Sequence, residues 1–376
     1  MRRLVAPLVI AILAVTAFQL RVQHEMVDFA VYRQAATRLM DAKPLYQETD
    51  GHYQFKYLPA FAMIAVPFAL VDEEGAKVMW FALSIGALVL LIRWSVRFLP
   101  ERRRGLPILA TLTTIFMAKF YAHELILGQS NLFFAVLIVC AIGALQVDAD
   151  SLAGGLLGAA VCIKPYALLF APWLVVTGKS ENRRALIAFA TVCFVALVAP
   201  AAIYGFKGNF QLLADWWRTV SASTAPNLTG ADNVSFAAMW TKWLGAGSIA
   251  RLLAGLSSAA GLALVIDAWR RRSDEGDPTY LEAAMLLVLI PLLSPQGWDY
   301  VLLLATPAVA LLFDRLPELP RRWQAAVWTA IAVMGLTTFD LLGRAAYGRV
   351  MSWSVITLSA IGVLICLRQL RQLKLA

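Results

Sequence analysis

A carboxylate near the start of the chain is the clearest candidate for acid-base chemistry. Asp28 opens a polar stretch that follows the first apolar segment, and Glu25 precedes it by three residues. On a surface beside lipid, such a carboxylate could take the proton of an acceptor hydroxyl. An aspartate just before a helix is also an ordinary N-cap, which stabilises the helix by about 1 kcal/mol. Both roles are open for Asp28, and Glu25 and Glu124 are weaker candidates for a base.

Two basic side chains are candidates for binding a phosphate. Lys164 stands at the end of a short apolar segment, directly before the helix-breaking Pro165, and His123 follows another apolar segment. An ammonium or imidazolium group can neutralise a phosphate through charged hydrogen bonds. The alternatives are a lysine that reaches from a helix end to the membrane surface and a loop histidine without a ligand.

Two further groups of residues have the chemistry to hold a sugar. Gln129-Ser130-Asn131 can hydrogen-bond hydroxyls, or can simply cap the apolar segment that follows. Trp298, Asp299 and Tyr300 can stack on a sugar ring and bond its hydroxyls, or can belong to an aromatic belt at the membrane interface. Trp216 and Trp217 fit the belt better than a site.

Composition restricts the class of protein. Of 376 residues, 60% are hydrophobic and 15% are charged, and the mean hydropathy is +0.69. A soluble domain is about half apolar and a quarter charged, so the chain is predicted to be an integral membrane protein. The net charge of +9 is spread between apolar segments, which argues against a nucleic-acid partner. The four cysteines lie within apolar runs, which argues against disulfides and a zinc site.

The apolar segments predict an all-α protein of about twelve spans in a single membrane domain, residues 1–376. Two long extracytoplasmic loops are expected at 21–59 and 205–247. The segment at 60–71 is too short for a crossing of ~20 residues and is predicted to be re-entrant or interfacial. The spans are predicted at about 4–20, 75–92, 106–122, 131–147, 152–164, 166–178, 184–205, 248–268 and 279–293, with three more after residue 300. The first is expected to be retained rather than cleaved as a signal peptide.

The first outer loop is predicted to carry an amphipathic helix at 28–41 that lies along the membrane surface. Arg33 and Arg38 could meet anionic headgroups there. The apolar face at helical spacing consists of Phe29, Tyr32, Ala36, Leu39 and Met40.

The arginines give the chain its predicted orientation. Arg2, Arg3 and the run Arg102-Arg103-Arg104 are expected in the cytoplasm, which places both termini inside. The candidate residues then gather outside, together with Lys56, Tyr57 and the turn at 232–235. Loops that end at one membrane face can converge on one cavity. A transfer reaction fed from the lipid would need a base, cationic groups for a leaving phosphate and polar groups for sugar hydroxyls.

These motifs resemble glycosyltransferase family 87, membrane enzymes of the GT-C fold. The resemblance rests on Asp28-Phe-Ala-Val-Tyr-Arg-Gln-Ala-Ala, Pro44-Leu-Tyr46 and Phe55-Lys-Tyr-Leu-Pro59 in the first outer loop. It continues through Gly128-Gln129-Ser130-Asn131, Lys164-Pro165, Asn233-Val-Ser235, and Ser294-Pro295 with Trp298. The order of the motifs, rather than any one of them, carries the likeness.

The resemblance implies a transferase of the plasma membrane that uses a polyprenyl-phosphate sugar, with mannose the expected sugar, on an envelope lipid or glycan. The reaction would be an inverting displacement on the outer face with Asp28 as base. Lys164, His123 and Lys56, in that order, are expected at the phosphate. Because the leaving group would be a lipid monophosphate, neither a metal nor another cofactor is expected. Sugar or acceptor contacts are expected from Tyr32, Tyr57, Gln129, Asn131, Asn233, Trp298, Asp299 and Tyr300.

One departure from the family pattern leaves the sugar and its phosphate contact open. Relatives often carry histidine after the Ser-Pro and Trp, where this chain has Asp299-Tyr300. The main rival hypothesis is a transporter or flippase of a lipid-linked sugar, in which Asp28 and Lys164 would be coupling charges. A non-catalytic assembly subunit is the third. The sequence does not give the oligomeric state.

Overall fold

A computed structural model of the chain describes residues 15–176, 182–271 and 278–375. The described residues fold almost entirely into helices, and the only extended pairing within them is an isolated antiparallel bridge between Asn233 and Trp298. The all-α prediction is therefore confirmed. The chain enters the described region as a helical segment with a π-helical turn at Phe18–Val22, so most of the predicted first span lies outside the described residues.

The helices of the first half run from the amphipathic segment to the middle of the chain. They are α1 (Val27–Met40), α2 (Pro59–Ala69), α3 (Glu73–Arg97), α4 (Leu106–Leu127), α5 (Asn131–Leu145), α6 (Asp150–Ile163) and α7 (Phe170–Val176), with a 3-10 helix at Pro165–Leu169 between the last two.

The helices of the second half complete the bundle. They are α8 (Asn182–Val198), α9 (Ala201–Asn227), α10 (Phe236–Leu244), α11 (Ser248–Arg270), α12 (Thr279–Leu293), α13 (Thr306–Arg315), α14 (Arg321–Leu336), α15 (Arg344–Ser352) and α16 (Val355–Gln372), with a 3-10 helix at Asp299–Ala305 before α13.

The centre of the bundle is formed by α12 and α13. Every residue from Thr279 to Leu292 is buried, and so is every residue from Asp299 to Leu316. A helix that is apolar on all sides is expected to be surrounded by others, and α5, α11 and α16 all pack against α12. The observed bounds of α12 coincide with the span predicted at 279–293.

The amphipathic helix α1 packs its apolar face on α2 rather than leaving it to lipid. Phe29 meets the Phe68 ring edge-on at 5.7 Å, and Tyr32 meets Phe61 at 5.0 Å. Met40, which the helical spacing placed on the apolar face, is 42% exposed and lies outside the buried face. The buried face consists of Phe29, Val31, Tyr32, Ala35, Ala36 and Leu39.

The structure corrects one predicted loop and leaves the number of spans untested. Four described helices are long and apolar enough to cross a membrane, or five if the pair 183–198 and 201–227, bent by 88°, counts as one span. The count of twelve spans therefore stays a prediction. Helix α4 continues past residue 122, so that His123 and Glu124 lie in a helix and not in a loop. The stretch at 205–247 is mostly helical. The segment predicted as re-entrant is α2, only 11 residues long.

Candidate active site

A cavity of about 520 Å³ opens where the ends of α4 and α6 meet α1, α9 and the segment before α13. A helix end is where a polar side chain can face a cavity while the helix itself crosses apolar surroundings. Nine of the twelve residues predicted from the sequence line this cavity. They are Asp28, Tyr32, Lys56, Tyr57, His123, Gln129, Lys164, Trp298 and Tyr300.

The side-chain amide of Gln129 joins three tyrosines at the cavity wall. Its Oε1 atom accepts hydrogen bonds from the hydroxyls of Tyr32 at 3.1 Å and Tyr57 at 3.0 Å, and its Nε2 atom donates to the Tyr300 hydroxyl at 3.2 Å. The Tyr32 and Tyr57 hydroxyls lie 2.6 Å apart. Because buried polar groups need partners, this cluster fixes the relative positions of the four segments that carry it.

Two carboxylates line the cavity: Asp28 is the one near Lys164 and Lys56, whereas Asp232 accepts a hydrogen bond from the Tyr347 hydroxyl at 2.6 Å. Helix α1 begins at Val27 and no side chain caps it, so Asp28 stands inside the first turn and the N-cap alternative is wrong. Burial raises the pKa of the Asp28 carboxyl, while the Gln129 amide and the charges of Lys164, Lys56 and His52 oppose the shift. A carboxylate with a raised pKa and nearby cations has the properties of a general base.

The cationic groups reach the cavity from different walls. Lys164 lies at the break between α6 and the following 3-10 helix, with its Nζ atom 5.5 Å from the centre of the Tyr57 ring. Lys56 comes from the segment before α2, and its backbone carbonyl accepts a hydrogen bond from the Trp216 indole at 3.1 Å. Both lysines thus face the same carboxylate and are placed to neutralise an anion beside it.

His123 is held by a buried carboxylate. Asp299 is 1% exposed, and its two oxygens lie 3.1 Å from His123 Nδ1 and 2.9 Å from Lys119 Nζ. The Lys119 ammonium also donates to the Thr337 carbonyl at 2.9 Å. Because the bond to Asp299 occupies Nδ1, the Nε2 atom is the ring nitrogen left for a ligand.

Three of the predicted contact residues do not line the cavity. The Asp299 carboxylate forms ion pairs with Lys119 and His123. Asn131 is fully buried and donates to the Glu124 carboxylate at 2.7 Å, which also accepts from the Leu132 amide at 3.1 Å. The hydrogen bonds between Asn131 and Glu124 and between Leu132 and Glu124 thus stabilise the turn between α4 and α5.

Asn233 positions the cavity wall without facing the cavity. Its side-chain amide donates to the carbonyls of Asn227 at 3.0 Å and Pro295 at 2.8 Å, and its backbone pairs with that of Trp298. The turn after α9 is thereby joined to the segment that carries Trp298 and Tyr300.

The cavity has lining residues that the sequence patterns did not reveal. Trp216 lines the cavity, although the sequence favoured an interfacial role for it, whereas Trp217 is 64% exposed. Gln296, which follows the Ser294-Pro295 motif, lines the cavity and donates to Ser223 Oγ at 3.0 Å. His52 also lines the cavity, as does Asp232 from the turn at 232–235 that the sequence placed with the candidate residues. Gln296 could have been found from its place between Pro295 and Gly297, but nothing in the sequence distinguishes His52.

Among the residues that the structure describes, no group of three or more histidine, cysteine, aspartate or glutamate side chains is arranged to hold a metal ion. An Asp-x-Asp pattern does occur at Asp148-Ala149-Asp150. It stands between α5 and α6, at the opposite end of α5 from Asn131 and so away from the cavity.

A comparison with protein families gives the class of enzyme. The model of glycosyltransferase family 87 matches residues 55–295, well over half of the chain. The chain belongs to glycosyltransferase family 87. This family 87 member is therefore a glycosyltransferase with apolar helices suited to a membrane. The matched region contains Lys56, Gln129 and Lys164, whereas Asp28 and Trp298 lie outside it. No significant match is found among curated proteins.

Gly128 allows α1 to approach the turn that carries Gln129. Its φ of +68° belongs to the left-handed region, and a Cβ atom there would lie 2.8 Å from Phe29 Cβ. Gly128→Ala should lower the thermal stability in detergent, because left-handed geometry alone costs an L-residue ~1–2 kcal/mol. Gly86→Ala is the matched control, since a Cβ atom there meets nothing within 4 Å. Equal melting temperatures for the two variants would contradict this role of Gly128.

Proposed function

We propose that this family 87 glycosyltransferase transfers a sugar, with mannose the expected one, from a polyprenyl phosphate to an acceptor hydroxyl, with Asp28 as the general base. The observation that carries the proposal is the Asp28 carboxylate in a cavity that also contains Lys56, His123 and Lys164. A base for the acceptor and cations for the leaving group are the two requirements of such a displacement.

The proposed reaction is a single displacement at the anomeric carbon, with Asp28 as the base and the polyprenyl phosphate as the leaving group. The acceptor hydroxyl gives its proton to the Asp28 carboxylate, and its oxygen attacks the anomeric carbon of the sugar from the face opposite the phosphate. The bond between the anomeric carbon and the phosphate oxygen breaks, and the electron pair leaves with the polyprenyl phosphate. Inversion at the anomeric carbon follows from this single displacement. Lys164, His123 and Lys56 are the residues we expect to stabilise the phosphate.

An apolar groove beside the cavity supports a lipid-linked donor. It has a volume of about 420 Å³ and lies between residues 165–172 and the end of α12, and it shares Pro165 and Tyr166 with the cavity. Ser294 donates to the Tyr166 hydroxyl at 2.8 Å at this boundary. A polyprenyl chain in the groove would place its phosphate near Lys164, which is the residue directly before Pro165.

The placement of the cavity supports a GT-C arrangement with the reaction on the outer membrane face. Helix α4 has 22 residues and is therefore about 33 Å long, so its two ends are well separated. The cavity lies at its C-terminal end, and Arg103 and Arg104 precede its N-terminal end. Their backbone amides donate to the Asp314 carboxylate at 2.9 Å and 2.8 Å. Arginines favour the cytoplasmic side, so we propose an extracytoplasmic cavity, cytoplasmic termini and residence in the plasma membrane.

Removing the base should stop transfer and leave the donor bound. Asp28→Asn keeps the size of the side chain but cannot accept a proton, so kcat should fall at least ~100-fold while the affinity for the donor stays near that of the wild type. Asp41→Asn is the matched control, because Asp41 directly follows the same helix and is 49% exposed in its pair with Lys43. Initial rates with radiolabelled donor give the measurement. Near-normal turnover in Asp28→Asn would overturn Asp28 as the base.

The pH profile should report the environment of Asp28. Burial raises its pKa, and the base must be deprotonated, so kcat/KM should fall on acidification with a midpoint above the usual carboxyl value of about 4. The charge of Lys56 lowers the pKa of Asp28, and Lys56→Gln should therefore move the midpoint to higher pH. Lys43→Gln removes an exposed lysine and should leave the midpoint in place. A midpoint that Lys56→Gln leaves unchanged would contradict the assignment.

A further inference from the structure

A second cavity of about 610 Å³ lies next to the first, between α9 and the segment at 46–56. Its walls contain both hydrogen-bond donors and acceptors, and most of its lining side chains are polar. The polar groups that belong to this cavity alone are Glu48, Asp215, Arg218, Thr219, Ser223 and Asn227. We call this cavity, between α9 and residues 46–56, the glycan cavity.

The two cavities share one wall. His52, Gln54 and Lys56 line both of them, so the two cavities adjoin at these three residues. A bidentate ion pair holds this segment to α1, with Arg38 Nη2 at 2.7 Å from Asp50 Oδ1. The Tyr46 hydroxyl also donates to the Tyr57 carbonyl at 2.6 Å. A ligand in the glycan cavity that contacts His52, Gln54 or Lys56 would therefore lie next to the cavity that contains Asp28.

Helix α9 gives a different face to each cavity. Trp216 and Val220, four residues apart, line the cavity of Asp28. The neighbouring positions Asp215, Thr219 and Ala222 line the glycan cavity, and their spacing of three and four residues places them along one side of the helix. The helix is thus a common wall, and its polar side faces the second cavity.

We propose that the glycan cavity binds the sugar residues of a glycan acceptor, whose reacting end extends past His52, Gln54 and Lys56 towards Asp28. The proposal rests on the proposed function, and it names the acceptor class as a hydroxyl-rich glycan rather than a lipid embedded in the bilayer. Sugar hydroxyls both donate and accept hydrogen bonds, and the lining offers the carboxylates of Glu48 and Asp215 as acceptors and the Arg218 guanidinium as a donor. The apolar groove at Pro165, by contrast, suits the hydrocarbon chain of the donor.

The charges of the glycan cavity are available to a ligand at its rim. Arg218 forms an ion pair with Asp215, and their side chains are 70% and 24% exposed. Gln211 also donates to the Asp215 carboxylate at 2.9 Å. The carboxylate is thereby held in place, while most of the guanidinium faces water and is free to bond hydroxyls.

The test measures sugar binding in the absence of donor. Full-length protein in lipid nanodiscs is probed by saturation-transfer NMR with short soluble manno- and gluco-oligosaccharides. Ala222→Trp places a bulky ring in the glycan cavity at an exposed position, and Arg218→Ala removes the guanidinium. Each should weaken binding at least about fivefold, the equivalent of roughly one hydrogen bond. Arg251→Ala, which removes an exposed arginine of α11 outside both cavities, should bind like the wild type.

Binding that is unchanged in Ala222→Trp and Arg218→Ala would overturn the proposal, and so would the absence of binding by every oligosaccharide. A separate assay of transfer from radiolabelled polyprenyl-phosphate mannose distinguishes an error in the glycan cavity from an error in the proposed donor. If the wild type transfers sugar and the two variants keep an unchanged KM for a glycan acceptor, only the glycan cavity is wrong. If no donor is used while oligosaccharides bind in the cavity, the glycan cavity stands and the donor of the proposed function is wrong.

Discussion

The bonds of the Gln129 amide are the constraint on which the cavity depends. One side chain satisfies hydroxyls from α1, from the segment before α2 and from the 3-10 helix before α13. These segments are far apart in sequence, and polar groups within an apolar bundle must find their partners in the protein. Once Gln129 is placed, by the left-handed turn at Gly128, the cluster fixes Tyr32 one helical turn from Asp28. The position of the carboxylate thus follows from a hydrogen-bond requirement at another point of the chain.

Buried charges, like buried hydroxyls, need partners within the protein. Asp299 is shielded from water but lies between Lys119 and His123, and an unpaired carboxylate at that depth would be strongly destabilising. The ion pairs of Asp299 thus hold His123 in a fixed orientation at the cavity. Asp28 differs, because the cations that face it come from separate walls. Its charge is therefore open to a substrate, whereas that of Asp299 belongs to the scaffold.

Much of this arrangement could be predicted from the sequence, because membrane helices separate apolar from polar residues so strongly. This separation predicted the bounds of α12 and the helical state of α1. It also predicted that Asp28, Lys56, His123 and Lys164 lie close together. The roles of Asn131, Asn233 and Asp299 did not, because a polar residue near a helix end can face a cavity or bond a neighbouring turn, and spacing alone does not distinguish the two. Trp216 was missed since an indole at an interface and one at a cavity look alike in sequence. The span count was hard to predict because α2, α5, α6 and α12 are apolar but have only 11 to 15 residues.

The central claim is that the cavity breaks the bond between a sugar and a lipid phosphate. The most direct measurement follows radiolabelled polyprenyl-phosphate mannose in liposomes that contain the purified protein and a crude extract of envelope lipids and glycans. Our account predicts that label leaves the polyprenyl lipid and appears in a new product. Label that crosses the bilayer while still attached to the polyprenyl lipid, with no new product, would contradict the account and favour a flippase.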